Sequence, residues 1–185
     1  MPEYRRAHLE GGTYFFTVNT LDRQHLLLKD DVRTALRGAI AEVRRSHPFR
    51  IDAWVLLPDH LHCIWTLPPG DHNFSARWQA IKRIVTQQCG TSLLYQEKLT
   101  TRRIQRKQGT IWQHRFWEHL IRDEADYSRH FDYIHWNPVK HGYVHRALDW
   151  QFSTFHRYVA EGIYSPEWGV SEAWKDGEKF GEANT

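Results

Sequence analysis

The chain has 185 residues, of which 41% are hydrophobic and 25% are charged, with a formal net charge of +3. These values are those of an ordinary globular protein with one domain and a substantial core. Two cysteines, Cys63 and Cys89, exclude a disulfide framework, and no apolar run reaches membrane-spanning length. Because the first residues also lack the apolar stretch of a signal peptide, we expect a cytoplasmic protein with no membrane partner.

Charge is distributed unevenly along the chain. The segment from residue 72 to residue 110 is basic, and from Glu161 onward acidic residues outnumber basic ones. This asymmetry favours a polyanionic partner, although a plain solvated surface is the alternative. We therefore expect a folded domain over residues 1–160 and an acidic tail over residues 161–185. The basic residues of the middle segment are Arg77, Lys82, Arg83, Lys98, Arg102, Arg103, Arg106 and Lys107.

The first predicted elements are a strand, a helix and two further strands. Residues 13–18 are β-branched and aromatic and follow a glycine pair, which is typical of a strand. Apolar residues at helical spacing then run from a cap at Asp30 or Asp31 up to Pro48. Residues 51–57 predict a second strand, and the turn into the third is so tight that we expect an antiparallel hairpin.

The second half of the chain predicts two helices with a loop and a strand between them. The loop is polar, basic and without a clear period, and such long loops are often functional. In chain order, the predicted elements are a helix from Asn73 or Ser75 to Gly90, an exposed loop over 91–110, a strand over 111–121 and a helix from Asp123 to near Pro138.

The element order is β-α-β-β-α-β followed by a helix. This order matches an α+β fold of the ferredoxin-like, split βαβ type, an antiparallel sheet with helices on one face. In this topology the third strand lies in the middle of the sheet, so its residues are expected to be buried.

His60 and His62 stand in that third strand. Side chains two residues apart on a strand point to the same face, so the two imidazoles are expected side by side, with Leu61 facing the other way. Neutral imidazoles are common metal ligands. Two polar residues at the edge of a strand are the alternative explanation, and His-x-His alone does not decide between them.

The last predicted helix separates into two faces. One carries Tyr127, Phe131 and Ile134 and is expected to pack on the sheet. The opposite, polar stripe includes Tyr133 and, one turn later, Asn137. A partly buried tyrosine with its hydroxyl in water is the ordinary interpretation of Tyr133.

The functional interpretation combines this stripe with the histidine pair. His60, His62 and the Asn137 side-chain oxygen give a divalent cation three protein ligands, and mixed N/O ligation suits Mg²⁺ or Mn²⁺. Zinc is the alternative, although no thiolate ligand favours it. Tyr133, one turn away, could then present its phenolic oxygen to a phosphate as a covalent nucleophile. The phenol ordinarily titrates near pH 10, so it needs assistance to lose its proton.

These motifs resemble those of a known family. His60-Leu61-His62, the strand and helix order, and Tyr133-Ile134-His135-Trp136-Asn137-Pro138 together resemble the HUH single-tyrosine transposases of the IS200/IS605 type, and more narrowly the REP-associated tyrosine transposases. The similarity covers roughly residues 4–164. His-x-His is weakly specific, whereas its combination with Tyr-x-x-x-Asn-Pro is strongly so.

The resemblance implies a metal-dependent single-strand DNA endonuclease and strand transferase with the HUH endonuclease fold. The pair His60 and His62 corresponds to the metal-binding histidines, and Asn137 matches the third ligand. Tyr133 matches the tyrosine that attacks the scissile phosphate, leaving a 5′-phosphotyrosine and a free 3′-hydroxyl. The implied substrates are hairpins from repetitive extragenic palindromes (REP) with a single-stranded tetranucleotide at the foot, and the subfamily tends to monomers.

Several basic residues are predicted to contact this DNA. Arg5 and Arg6 are expected to read the tetranucleotide or clamp its backbone, and the basic segment 94–108 is expected to grip hairpin phosphates or to be a neutral insertion. The full set of predicted DNA contacts is Arg5, Arg6, Arg77, Lys82, Arg83, Arg102, Arg103, Arg106, Lys107, Lys140 and His141.

Two alternative functions remain open at this point. A nucleic-acid-binding module on the same fold would bind single strands without chemistry. A metal-dependent hydrolase that activates water would make Tyr133 dispensable. The sequence favours the transposase, because a pure binder has no use for a histidine pair, an asparagine and a tyrosine at these positions.

Overall fold

The fold is taken from a computed structural model, which describes residues 9–94, 111–170 and 180. The described elements are four strands and four α-helices. In chain order they are β1 (Thr13–Asn19), α1 (Asp30–Ser46), β2 (Arg50–Leu56), β3 (His60–Thr66), α2 (Phe74–Leu94), β4 (Trp117–Leu120), α3 (Glu124–Lys140) and α4 (Phe155–Ala160).

The four strands form one antiparallel sheet in the order β2-β3-β1-β4. This order is that of the split βαβ plan, so the predicted α+β, ferredoxin-like fold class is confirmed. Strand β3 lies between β2 and β1, as predicted, and its residues from His60 to Trp65 are all buried. Residue Thr17 of β1 is the cross-strand neighbour of His62.

Helices α1 and α2 cover one face of the sheet, here called the apolar face. Alternate residues of β1 and β3 point into it, and Trp65 stacks on Trp78 of α2 with ring centroids 4.2 Å apart. Phe16 meets Trp78 edge-on at 5.7 Å. Aromatic pairs in these orientations add to the stabilisation that comes from burying their large apolar surfaces.

Helix α3 covers the opposite face, here called the site face, together with the segment that follows it. The prediction that the helices share one face therefore holds for α1 and α2 and is wrong for α3. The polar stripe of α3 is also largely buried, since Tyr133 is 1% exposed and Asn137 is fully buried. Its polar residues pack against the sheet because the sheet presents polar partners there, His62 among them.

Some predicted boundaries differ from the observed ones. Helix α1 is capped at Lys29, with Asp30 inside its first turn, where acidic side chains favour the helix dipole. Helix α2 continues through Gly90, because a glycine costs only about 1 kcal/mol and Cys89 is buried on the core. The fourth strand is short, and Trp112 makes only an isolated bridge to Thr20.

Pro138 lies inside helix α3, which was predicted to end there. The missing N–H of a proline removes one bond to the carbonyl four residues earlier. That loss falls in the last turn, and the helix ends two residues later at Lys140. The N-terminal cap is as predicted, since the Asp123 side chain accepts a hydrogen bond from the Asp126 N–H.

The segment after α3 extends the sheet at its β2 edge. The Leu56 N–H donates to the Phe152 carbonyl, and the Thr154 N–H donates to the Trp54 carbonyl. Further along, Tyr164 is buried, and its hydroxyl donates to Asp132 at 2.5 Å. Among the described residues, no helix has both the length and the apolar composition that crossing a bilayer requires.

Candidate active site

The two strand histidines meet on the site face of the sheet. His60 and His62 are both fully buried, and their ring centroids lie 4.9 Å apart. Leu61 packs into the apolar face, as strand alternation requires. The interpretation of the pair as solvated edge residues is therefore wrong, because β3 is an inner strand.

Hydrogen bonds fix which nitrogen of each imidazole carries the proton. His60 Nδ1 lies 2.7 Å from a carboxylate oxygen of Asp59, which can only accept. His62 Nδ1 lies 2.9 Å from the Thr17 hydroxyl, whose single proton is donated to the Phe180 carbonyl at 2.6 Å. Both Nδ1 atoms are therefore donors, so in the neutral rings Nε2 is the nitrogen that bears the lone pair.

The carboxylate that binds His60 is itself part of an ion pair. The Arg23 guanidinium lies 2.8 Å from Asp59, and it also donates to Asn19 at 2.6 Å. Burial pushes the pKa of Asp59 up, but the hydrogen bond from His60 and the electrostatic interactions with His60 and Arg23 outweigh it, so the pKa is lowered. Asp22 and Arg23 adopt φ values of 52° and 56°, left-handed conformations that non-glycine residues rarely adopt.

Helix α3 brings the tyrosine to the histidine pair. The ring centroids of Tyr133 and His62 are 5.4 Å apart, and those of His141 and His60 are 5.2 Å apart. Asn137 lies one turn after Tyr133 and one turn before His141, so it sits between the two contacts. The predicted set of His60, His62, Tyr133 and Asn137 is thus gathered at one place.

Lys140 contacts the tyrosine directly. Its ammonium group donates to the Tyr133 hydroxyl at 2.7 Å and lies 4.8 Å from the ring centroid. The sequence predicts Lys140 as a DNA contact, whereas in the structure its ammonium group contacts Tyr133. The sequence could have predicted this contact, because residues 133 and 140 are seven apart and so share one side of a helix.

Phe180 covers the tyrosine from the other side. The rings of Phe180 and Tyr133 are stacked with centroids 3.8 Å apart and planes 19° from parallel. Phe180 is itself 3% exposed and touches Phe15 and His130 as well. No motif predicts this contact, since residue 180 lies far along the chain in a segment with no recognisable period.

A second cluster of potential ligands lies nearby on β4 and α3. His119, Asp126 and His130 each bring a ligand atom within 4.8 Å of the others, which is compatible with a metal site. The Asp126 carboxylate accepts from His119 at 2.8 Å and from the Arg122 N–H at 3.0 Å. Burial raises the pKa of Asp126, but these bonds outweigh it and lower the pKa to about 2. The network ties α3 to the edge strand.

The other predicted DNA contacts have varied environments. The structure contradicts the prediction of Arg77 as a DNA contact. Its side chain is 1% exposed and bonds to Asp71 and to the His47 and Pro48 carbonyls, so it stabilises the packing of the apolar-face helices. Lys82 donates to the Gln113 carbonyl at 2.9 Å, and Arg83 is exposed. The remaining predicted contacts lie outside the described residues: Arg5, Arg6, Arg102, Arg103, Arg106 and Lys107.

Comparison with known families agrees with this geometry. The family model described as "Transposase IS200 like" matches residues 10–137, which contain both strand histidines, Tyr133 and Asn137. The chain belongs to the IS200-like transposase family. The predicted family, and with it the predicted class of enzyme, is confirmed.

Two relatives are similar over almost the whole transposase chain. It is 51% identical over 168 residues to the REP-associated tyrosine transposase of Escherichia coli K12, covering 91% of each protein. A solved REP-associated tyrosine transposase bound to a REP hairpin superposes with a TM-score of 0.77 at 48% identity, covering 97% of this chain and 98% of the other. These matches extend the similarity to the segment after α3.

Proposed function

We propose that this transposase cuts and rejoins single-stranded DNA beside a hairpin, with Tyr133 as the nucleophile. The observation that carries the proposal is the Lys140 ammonium at 2.7 Å from the Tyr133 hydroxyl, next to a buried histidine pair. An ammonium group at this distance stabilises the negative charge that develops on the phenolic oxygen as its proton leaves.

The donor set on the site face suits a divalent cation. His60 and His62 would bind it through Nε2, because Asp59 and Thr17 hold their Nδ1 atoms as donors, and Asn137 would supply an oxygen. Two imidazoles and an amide oxygen favour Mn²⁺ or Mg²⁺ over a thiolate-preferring metal. When bound, such a cation polarises a phosphate and neutralises charge during in-line displacement.

The reaction exchanges one phosphodiester for another. The Tyr133 oxygen forms a bond to phosphorus as the bond from phosphorus to the 3′-oxygen breaks. The net transfer of the phenol proton to the leaving oxygen gives a 5′-phosphotyrosine and a 3′-hydroxyl. Attack of a 3′-hydroxyl on the phosphotyrosine reverses the step, which accounts for strand transfer.

The substrate we propose is a REP-type hairpin with a single-stranded tetranucleotide at its foot, bound by a monomer. Support comes from the similarity to a protein solved with a REP hairpin, at 48% identity over nearly the whole chain. Tyr133 is 1% exposed and Phe180 stacks on its ring, so a scissile phosphate reaches the phenolic oxygen only after groups that cover this residue move, and Phe180 is one of them. Substrate binding and displacement of residue 180 are therefore coupled in this proposal.

The test is covalent capture of the labelled strand. Wild type and Tyr133→Phe are incubated with a 5′- or 3′-labelled hairpin and Mn²⁺ or Mg²⁺, and adducts are separated on denaturing gels. We expect an adduct in wild type that retains only the label on the 3′ side of the cut, and none in Tyr133→Phe. Tyr127→Phe, on the same helix, is the matched control and should form the adduct normally.

Other outcomes would identify the alternative functions. Cleavage that persists in Tyr133→Phe would indicate a hydrolase with activated water. Tight hairpin binding with no cleavage under either metal would indicate a binding module. An equal adduct in wild type and Tyr133→Phe would overturn the role of Tyr133.

A further inference from the structure

A second concave surface lies on the far side of the sheet from Tyr133. It is a cavity of about 550 Å³ between α1, the edge strand β2 and the segment that follows residue 150. Trp54 and Leu56 of β2 belong to the apolar-face cluster, whereas Val55 belongs to the site-face cluster with Tyr133. The cavity, here called the arginine groove, therefore opens on the apolar side of the sheet edge.

The lining of the arginine groove is strongly basic. Its described lining includes five arginines and no acidic residue. Three of these arginines pair with carboxylates outside the lining: Arg33 with Asp30 at 2.7 Å, Arg50 with Asp52 at 2.5 Å and Arg157 with Glu161 at 4.0 Å. A concave surface with this charge concentrates an anion and raises its rate of association. The five lining arginines are Arg33, Arg37, Arg44, Arg50 and Arg157.

Aromatic rings are interleaved with the arginines. Trp54 and Phe152 line the groove and are both partly exposed. The Arg33 guanidinium lies 4.7 Å from the Phe152 ring centroid. Positive charge that follows a backbone, combined with aromatic faces on which bases stack, is how proteins bind single-stranded nucleic acid without sequence preference. A simple phosphate site would have no use for the rings.

The arginines of α1 extend in one direction. Arg33, Arg37 and Arg44 lie four and seven residues apart and so occupy one side of the helix. At 1.5 Å per residue they span about 16 Å. A stacked strand rises about 3.4 Å per nucleotide, so this length accommodates several consecutive phosphates.

We infer that the arginine groove binds a segment of single-stranded DNA, as a strand-binding site distinct from the one that presents the scissile phosphate to Tyr133. The choice of DNA as the nucleic acid rests on the proposed function, whereas the groove itself does not.

Ultraviolet crosslinking tests the position of the strand. Tyr133→Phe protein, which forms no phosphotyrosine, is irradiated with oligothymidylate, and crosslinked residues are located by peptide fragmentation. We expect crosslinks at Trp54 or Phe152, because stacked bases react with the aromatic ring beneath them. Crosslinks confined to the site face would overturn the inference.

A matched pair of arginines on α1 tests the charge. Arg37 and Arg45 are both exposed on the same helix, but only Arg37 lines the groove. In the Tyr133→Phe background, Arg37→Ala should weaken oligothymidylate binding about fivefold at low salt and lower the slope of log affinity against log salt by about 1. Arg45→Ala should leave both quantities unchanged. Equal effects of the two substitutions would overturn the inference.

Competition with an acidic polypeptide tests whether the groove is specific for DNA. Polyglutamate that displaced the DNA from Trp54 and Phe152 at equal charge concentration would show a site for acidic chains in general and would overturn the inference. These measurements need no cleavage. If the hairpin assay gives no adduct but crosslinks form at the groove, only the proposed function is contradicted. If an adduct forms but no crosslinks form at the groove, only the inference that the groove binds DNA is contradicted.

Discussion

The two faces of the sheet are built from the same strands and differ in what they bury. On the apolar face, β1 and β3 present Phe16 and Trp65, which pack on the aromatic residues of α2. On the site face, β3 presents His60 and His62, and Tyr133 of α3 packs against His62. One residue of register separates the two sets along a strand.

This difference shows how one sheet separates stability from chemistry. Burying a polar group costs free energy unless it is hydrogen-bonded, so the site face depends on partners such as Asp59 and Thr17. The apolar face is packed mainly by apolar and aromatic side chains, with the buried Arg77 satisfied by Asp71 and backbone carbonyls. Substitutions on the first face are therefore expected to change chemistry, and those on the second to change stability.

The largest expected effect is on the apolar face. Trp78 is fully buried between Trp65 and Phe16, so Trp78→Ala should lower the free energy of unfolding by about 3–5 kcal/mol. Urea denaturation measures this, with the exposed neighbour Gln79→Ala as control, expected within about 0.5 kcal/mol of wild type. Mn²⁺ affinity of the still-folded variant should stay the same. A loss of metal binding below the unfolding transition would contradict the separation of the faces.

On the site face, Lys140→Met should slow adduct formation about 100-fold, or about 2.7 kcal/mol, because the charge facing the Tyr133 oxygen is lost. Single-turnover rates measured against pH provide the readout. We expect the rate of the variant to rise more steeply with pH than that of wild type, since its phenol must ionise without the ammonium group. Lys140→Arg should restore part of the rate, and parallel profiles in all three proteins would exclude the role.

Acid sensitivity should also come from the site-face side of the molecule. Burial lowers the pKa of His135 to about 3, so the folded state keeps this ring neutral while the unfolded chain binds a proton below about pH 6.5. Its contribution to stability is complete above that value and is lost as the pH falls towards 3. Between about pH 7.5 and about pH 5 the loss is about 2 kcal/mol. Urea unfolding of His135→Gln should show a correspondingly shallower pH dependence, and an unchanged slope would contradict this assignment.

The smallest expected effect concerns Asp59, which is hydrogen-bonded to His60, a proposed metal ligand. Asp59→Asn should weaken Mn²⁺ binding at least about tenfold, because the carboxylate that fixes the ring and raises its basicity is lost. Calorimetric titration measures the affinity. Asp30→Asn, an exposed carboxylate on α1, should bind Mn²⁺ like wild type. Equal affinities in the two variants would place the metal elsewhere, with the cluster of His119, Asp126 and His130 as the next candidate.

Much of this arrangement could be predicted from the sequence, for identifiable physical reasons. Strand alternation places His60 and His62 together, and helical spacing relates Tyr133 to Asn137. The burial of the polar stripe of α3 was not predictable from α3 alone, because it depends on polar partners that another element presents. The path of α2 through Gly90 likewise depends on packing that outweighs a weak local preference.

The residues that contact the histidine pair and Tyr133 differ in how far the sequence predicts them. Asp59 immediately precedes His60, so a carboxylate beside a ligand could have been recognised from the sequence. Thr17 could be found only from the register between β1 and β3. Phe180 could not be found at all, since its contact with Tyr133 is decided by the three-dimensional path of the chain.

Thr17 connects the histidine pair to residue 180 through a single proton. Its hydroxyl has one hydrogen, which it gives to the Phe180 carbonyl, and this leaves its oxygen to accept from His62 Nδ1. When residue 180 leaves, that hydrogen is able to turn towards the imidazole, so the Thr17 hydroxyl can then donate to His62 Nδ1 as well as accept from it. The position of residue 180 and the tautomer of His62 are therefore thermodynamically linked, so each biases the other by the same free energy.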